Sequence, residues 1–393
     1  MRYPNRRAFL HSLAAAAGVA AVPRFADGLA ALPEASIEGR RMPTSRRVQA
    51  LVRTIAGTGT AGYEPEGADG RVATTTPVNN PYGVVVGPDG ALYFCEVDTG
   101  RTRRLDLGTS RLTTVAGTGE PAYSGDGGPA PAASFSAPHE IRFDGQGNLY
   151  VVERDAHVVR RIEAGSGLVA TLAGTGEAGF SGDGGPASQA QLRQPHSIAF
   201  DAQGNLLICD IGNQRLRGVD MRTRTIRTIG GTGERAPTPD RAPLEGTPLL
   251  GPRSIDTDDD GNAYLVLREG NAVFRLDLSA GTLERIAGTG ERGFTGDGGQ
   301  GLAATFNGPK GIAYSPEDRS LYVVDTENHA IRRLDLDTGR IETVLGTGEV
   351  ADGPDGDPLR CSLARPHGVF VHERIVYVTD SENHRVRALE GAF

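Results

Sequence analysis

Six residues stand at intervals of 57 along the chain, each directly after a proline: Tyr82, His139, His196, Arg253, Lys310 and His367. Three imidazoles, two cations and a phenol at one repeated position suggest chemistry. Brought to a single rim, the three histidines could hold a zinc or similar ion and leave one coordination position open for water or substrate. Arg253 and Lys310 opposite them would suit a carboxylate or other anion. The same set also fits a polar, metal-free pocket, or residues that are solvated or bonded to a neighbouring unit. Lys310 draws notice because it is the one lysine among 41 basic residues.

Three further residues break the pattern around this set. Glu140 follows His139 where the other units carry Gly or Ser, and Arg142 stands where its counterparts are mostly apolar. Asp256 occupies that same position in the fourth unit, which also replaces a recurring acid with Leu267. A local rule broken without structural need is the mark of a functional site. Glu140 is placed to act as a general base or to orient a ligand, with Tyr82 and Arg253 as catalytic helpers. Lys310, Arg253, Arg142 and Asp256 are the substrate-binding candidates.

Other clusters are better explained by architecture. His157, His329 and His384 each follow an acid by four residues (Glu153, Asp325, Asp380) and are expected to be structural. The acid recurs as Glu96, Glu153, Asp210, Asp325 and Asp380, a spacing that suits backbone capping in every unit. Asp126, Asp183 and Asp297 lie in Gly-Asp-Gly-Gly loops; one carboxylate per loop is too few for calcium, so a structural turn is expected. Cys95 and Cys209 have the hydrophobic setting of small buried residues.

These residues need a scaffold that repeats every 57 residues. With 55 Gly and 24 Pro in 393 residues, long helices are disfavoured and a turn-rich β protein is favoured. Prolines 81, 138, 195, 252, 309 and 366 open six units, and a second marker, Ala-Gly-Thr-Gly or a near variant, begins at residues 56, 116, 173, 230, 287 and 345. Within the second unit, Ile141–Phe143, Leu149–Glu153, Val158–Ile162 and Leu168–Leu172 alternate with period two and are separated by turn residues. Four strands per unit, repeated radially, is an all-β six-bladed propeller. The last unit has no fourth strand after Val386–Leu389, so Val48–Ile55 is expected to complete it and close the ring.

The recurring Ala-Gly-Thr-Gly, Gly-Asp-Gly-Gly-Pro-Ala, Pro-His-Gly, Gly-Asn-Leu-Tyr-Val and Asp-Thr-Glu-Asn-His-Ala-Ile-Arg segments resemble NHL repeats, and the likeness extends over residues 48–393. The resemblance implies that the proline-led segment opens the innermost strand at the top of the channel. Pro195-His-Ser-Ile198 is also similar to a stretch of peptidylglycine amidating lyases, whose catalytic zinc is held by histidines at the channel. Carried over, that likeness supports His196 as a ligand; His139 and His367 join it by repeat position. The other site motifs of those enzymes have no match here. Lactonase-like hydrolases are similar in architecture alone. Two functions follow as expectations. One is a metal-dependent lyase or hydrolase acting on a small anionic or peptide-like substrate at the channel mouth. The other is a non-catalytic extracytoplasmic scaffold that binds a protein, peptide or glycan on its top face.

The start of the chain points to export. Asn5-Arg6-Arg7-Ala8-Phe9-Leu10, followed by the weakly apolar Leu13–Val22, resembles a twin-arginine signal. Residues 1–31 are expected to be that signal, 32–47 a linker and 48–393 the propeller, in a monomer of the periplasm or extracellular space. From residue 48 onward the chain holds 33 basic and 46 acidic residues, which disfavours nucleic acid as a partner. The apolar run is too short to span a bilayer, and no later segment does so.

Overall fold

The computed structural model describes residues 50–67 and 69–392; the expected signal and linker lie outside them. Six antiparallel sheets of four main strands form the blades of a ring, and two of the sheets gain a two-residue edge strand, Arg71–Val72 or Ala242–Pro243. The second blade is typical, with strands Pro138–Phe143, Leu149–Glu153, Val158–Ile162 and Val169–Ala173. Its inner strand begins at the proline itself, three residues before the alternation becomes visible in sequence. Proline is tolerated there because a first strand residue need not donate to the ladder. Among the described residues no helix is long and apolar enough to cross a membrane.

Each blade buries both faces, and the core is accordingly divided among the six junctions between blades. Leu207 and Cys209 pack on Leu265 and Phe274 between blades three and four, and the other five junctions carry equivalent clusters. Cys95, Cys209 and Cys361 are buried free thiols. The ring closes as the sequence suggests. Leu51–Ala56 pairs with Arg385–Glu390 as the outer strand of blade six, and Val52, opposite Leu389, is fully buried. The Gly-Thr-Gly marker turns the chain out of each outer strand. At Gly117 φ is 95°, and a Cβ would lie 2.1 Å from the carbonyl oxygen of Gly100, so no other residue fits.

The recurring acid does cap backbone. Glu153, Asp210, Asp325 and Asp380 accept from the N–H groups of Ser136, Arg193, Asn307 and Ala364 at 2.7–2.8 Å. Seven residues after each acid comes a fully buried arginine on the next strand: Arg103, Arg160, Arg217, Arg332 and Arg387. Arg160 bridges Glu153 (3.4 Å) to Asp126 (2.6 Å), and the other oxygen of Asp126 takes the N–H and hydroxyl of Thr171 on the outer strand. Asp126 and Asp183 thus complete a relay from second strand to third to fourth, and Asp297 takes Arg332 of the third strand. Blade one substitutes Glu66 for the loop aspartate, bonded to Arg103 and to the N–H of Thr114. In blade six Asp355 ties Arg387 to Thr54 of the closing strand.

Blade four lacks the relay but not its shape. Leu267 and Phe274 take the places of acid and arginine, both buried in the junction with blade three. Removing one partner of a buried ion pair leaves the other charge uncompensated and costs about 3–5 kcal/mol, whereas an apolar pair of similar volume is often neutral. We therefore expect Arg160→Phe alone to lower the urea-unfolding free energy by about 3–5 kcal/mol, and Glu153→Leu/Arg160→Phe, which copies blade four, to recover most of that loss.

Candidate functional site

The inner strands of all six blades contact their neighbours in sequence around the ring, so the residue after each opening proline reaches one rim. The residue before each proline is held at positive φ: Asn80, Ala137, Gln194, Gly251, Gly308 and Arg365, with φ of 42–76°. Such turns are strained for most side chains and need support from outside. The preceding blade supplies it. The Nδ1 atoms of His157, His329 and His384 accept the N–H groups of Gln194, Arg365 and Asn80, each at 3.1 Å. Gln214 and Asn271 do the same for Gly251 and Gly308 through side-chain oxygens. At Ala137 the equivalent residue is Gly100, which has no side chain to offer. The second histidine set is structural, as its spacing suggests, and its role is to aim the rim.

Five of the six rim residues form a continuous arc. Lys310 Nζ lies 3.4 Å from His367 Nε2, and the His367 ring stacks on Tyr82 at 3.9 Å. Tyr82 meets His139 edge-on at 4.8 Å, and His139 meets His196 at 4.6 Å. Arg253 occupies the remaining place. His139 and His196 donate from Nδ1 to the carbonyls of Ala137 and Gln194. Ser381 spends its proton on Pro81, so it accepts from His367 Nδ1. All three imidazoles therefore keep a lone pair on Nε2. Burial, with Arg253 adding to it at all three and Lys310 at His139 and His367, holds them well below the usual histidine range, so they are neutral at physiological pH. Burial brings Lys310 down to about 8 against the pull of Glu327, and Arg253 down to about 10.

The remaining candidates form a lower tier. Arg142 and Asp256 lie three residues further along their inner strands, about 10 Å at 3.3 Å per residue. Glu140 Oε1 accepts from Arg142 at 2.5 Å and from the N–H of Ile141 at 3.2 Å. Its carboxyl is pushed up by burial and held back by Arg142. Asp256 accepts the N–H of Tyr314 in blade five at 2.8 Å.

A three-histidine metal centre fits this rim poorly. The Tyr82 ring lies between His367 and His139, and the free edge of His367 faces an ammonium group. Among the described residues no trio of His, Cys, Asp or Glu is arranged to hold an ion. A divalent cation would also be repelled by Arg253 and Lys310. The same field favours an anion.

Arg253 is a buried charge with no direct partner among the described residues. It is 5% exposed, makes no hydrogen bond or ion pair among the described residues, and its Nε is buried with no partner. Two crevices reach the rim in the blades on either side of its own, and Arg253 lines neither. One, of about 300 Å³, reaches the rim at His196 and is bordered by Arg154, Arg235 and Arg268. The other, of about 500 Å³, reaches it at Lys310 and is bordered by Arg268, Arg292 and Arg365. None of these flanking arginines stood out in the sequence, because each occurs in only one or two blades.

The NHL repeat model matches residues 306–334 and 363–389. NHL repeat-containing protein 2 of Gallus gallus is 25% identical over 287 residues, 66% of this chain and 39% of that protein. Protein SUPPRESSOR OF QUENCHING 1, chloroplastic, of Arabidopsis thaliana is 27% identical over 291 residues, 71% of this chain and 24% of that protein. This chain thus spans less than half the length of either relative. An auxiliary nutrient binding protein of Bacteroides thetaiotaomicron shares the fold, with a TM-score of 0.63 at 17% identity over 87% of this chain and 76% of that one. The chain carries NHL repeats on a six-bladed propeller.

The rim supports yield a pH prediction. Burial lowers the pKa of His384, so the unfolded chain binds its proton more tightly than the folded one. The stability this histidine contributes is present above its unfolded value of about 6.5 and is lost as pH falls toward the folded one. Replacing it with the Gln used in blade three should leave urea midpoints unchanged at pH 7.5. At pH 5.5 His384→Gln should be the more stable of the two proteins.

Proposed function

We propose that this NHL-repeat propeller binds a small anionic ligand at its channel mouth, with Arg253 as the residue that receives the anion. The observation that carries this reading is the buried, unpartnered guanidinium of Arg253 between two crevices lined with arginine. Leaving a charge buried without a partner costs several kcal/mol, and proteins retain such groups where a ligand supplies the missing partner. Lys310 would donate to the ligand, and the Nε2 lone pairs of His139 and His196 would accept from its hydroxyl or amide groups, fixing its orientation. Glu140, Arg142 and Asp256 would form the polar floor beneath it.

Catalysis on the bound anion, as a lyase or hydrolase, is the second reading. It is favoured by the contact between Lys310 and His367, since an ammonium next to a neutral imidazole can pass a proton. Zinc would have to displace Lys310 from His367, and metal analysis decides that point. Near-stoichiometric zinc, lost from a His139→Ala/His196→Ala/His367→Ala variant, would replace the anion reading. Export by a twin-arginine route, on the strength of Arg6-Arg7 and the apolar run behind them, belongs to the same proposal and places the site outside the cytoplasm.

Arg253→Met tests the reading through a trade between stability and function. Removing the unpaired charge should raise the unfolding free energy by about 1–3 kcal/mol while abolishing the binding of acetate, phosphate and galacturonate measured by calorimetry. A variant that loses stability, or that keeps anion affinity, would refute the assignment.

A further inference from the structure

Beyond Arg253, the two crevices have a common wall. Arg268 and Glu269 border both, so the crevices are two halves of one bowl divided by a ridge. Counted together, their linings hold six cationic side chains (Arg154, Arg235, Arg268, Arg292, Lys310, Arg365) against three carboxylates. This imbalance runs against the rest of the propeller, where acidic residues outnumber basic ones.

The acids within the bowl hold the cations in place and leave part of their charge over. Glu269 Oε1 takes Arg268 Nε at 2.9 Å and lies 3.8 Å from Arg235. Glu327 takes Lys310 at 2.8 Å and Arg365 at 2.9 Å. Glu269 and Glu327 are thus each shared by two cations, one cluster on the ridge and the other in the larger crevice, while Asp155 pairs with Arg154 alone and Glu382 also takes Arg365 at 2.8 Å. Arg292 is exposed, and no acid pairs with it among the described residues. A single anion at Arg253 would leave unused the surplus charge of Arg235 and Arg268, which share one carboxylate, and of Arg292.

We infer, building on the anion reading above, that the ligand carries at least two separated anionic groups and lies across the Arg268–Glu269 ridge, with one group in each crevice. Arg253 is the rim residue it passes over, since the crevices meet the rim on either side of that blade, at His196 and at Lys310. The occupant is a small molecule and not a nucleic acid, because the acidic body around the bowl repels a long phosphate backbone. Two anionic groups joined by a short spacer gain from each other, since the second binds at high effective concentration once the first is seated.

Uronic acid oligomers provide a graded probe, with one carboxylate per sugar. Calorimetry on the full chain at low salt should show trigalacturonate binding at least about tenfold more tightly than galacturonate. Arg268→Ala should abolish that difference while leaving the melting temperature within about 2 °C. Equal affinity for monomer and trimer would overturn the two-site reading and leave the Arg253 anion site standing. So would tight binding of neutral maltotriose, because it carries no anionic group. Failure of every anion to bind would overturn both readings.

Discussion

The buried arginine at the centre of five of the six blades is the interaction on which the rest of this protein depends. A propeller blade is a small sheet buried on both faces, and nothing in an apolar junction tells four short strands how to connect. The relay from acid to arginine to loop aspartate does so, because each charge is satisfied only when three strands and the long connecting loop are all in place. Its cost in desolvation is high, and its specificity is correspondingly high, since a strand out of register would strand a charge in the core. Blade four shows that Leu and Phe of suitable volume can fill the same space. The relay is therefore one of two ways to build the blade, and this chain uses it in five of the six.

Much of this architecture was legible in the residues themselves. The 57-residue spacing of the prolines identified the blades, the period-two runs located the strands, and the missing fourth strand of the last unit indicated how the ring closes. The acid column and the Asn-His loops were assigned structural roles that the hydrogen bonds bear out. What the spacing did not convey was the partner of the acid. Arg103, Arg160, Arg217, Arg332 and Arg387 each follow it by seven residues, a column as regular as the prolines, but arginine is expected at a surface, and its abundance in this chain hid the pattern.

The rim was legible as a set of residues but not as a set of contacts. Spacing alone could not show that Tyr82 would stand between two histidines, or that Lys310 would turn toward His367. Those details depend on side-chain packing between blades, and they move the electrostatic balance from one that welcomes a cation to one that favours an anion. The flanking arginines were harder still, because they belong to loops where each blade differs from the next. Repetition finds a scaffold, and the departures from it carry the chemistry.

The pairing of Leu51–Ala56 with Arg385–Glu390 has a consequence for how the molecule is made. The first strand of the ring finds its partner only after nearly the whole propeller has been synthesised, and joining ends more than 300 residues apart costs roughly 5 kcal/mol in loop entropy for a flexible chain. That cost falls steeply once the intervening blades have stacked and brought the two edges near. Closure is thus the final event of folding, and until it happens the chain has an open edge at each end. The bond from Asp355 to Thr54 acts at this moment as a clasp, since it fastens the incoming strand to the same arginine that organises the blade it completes.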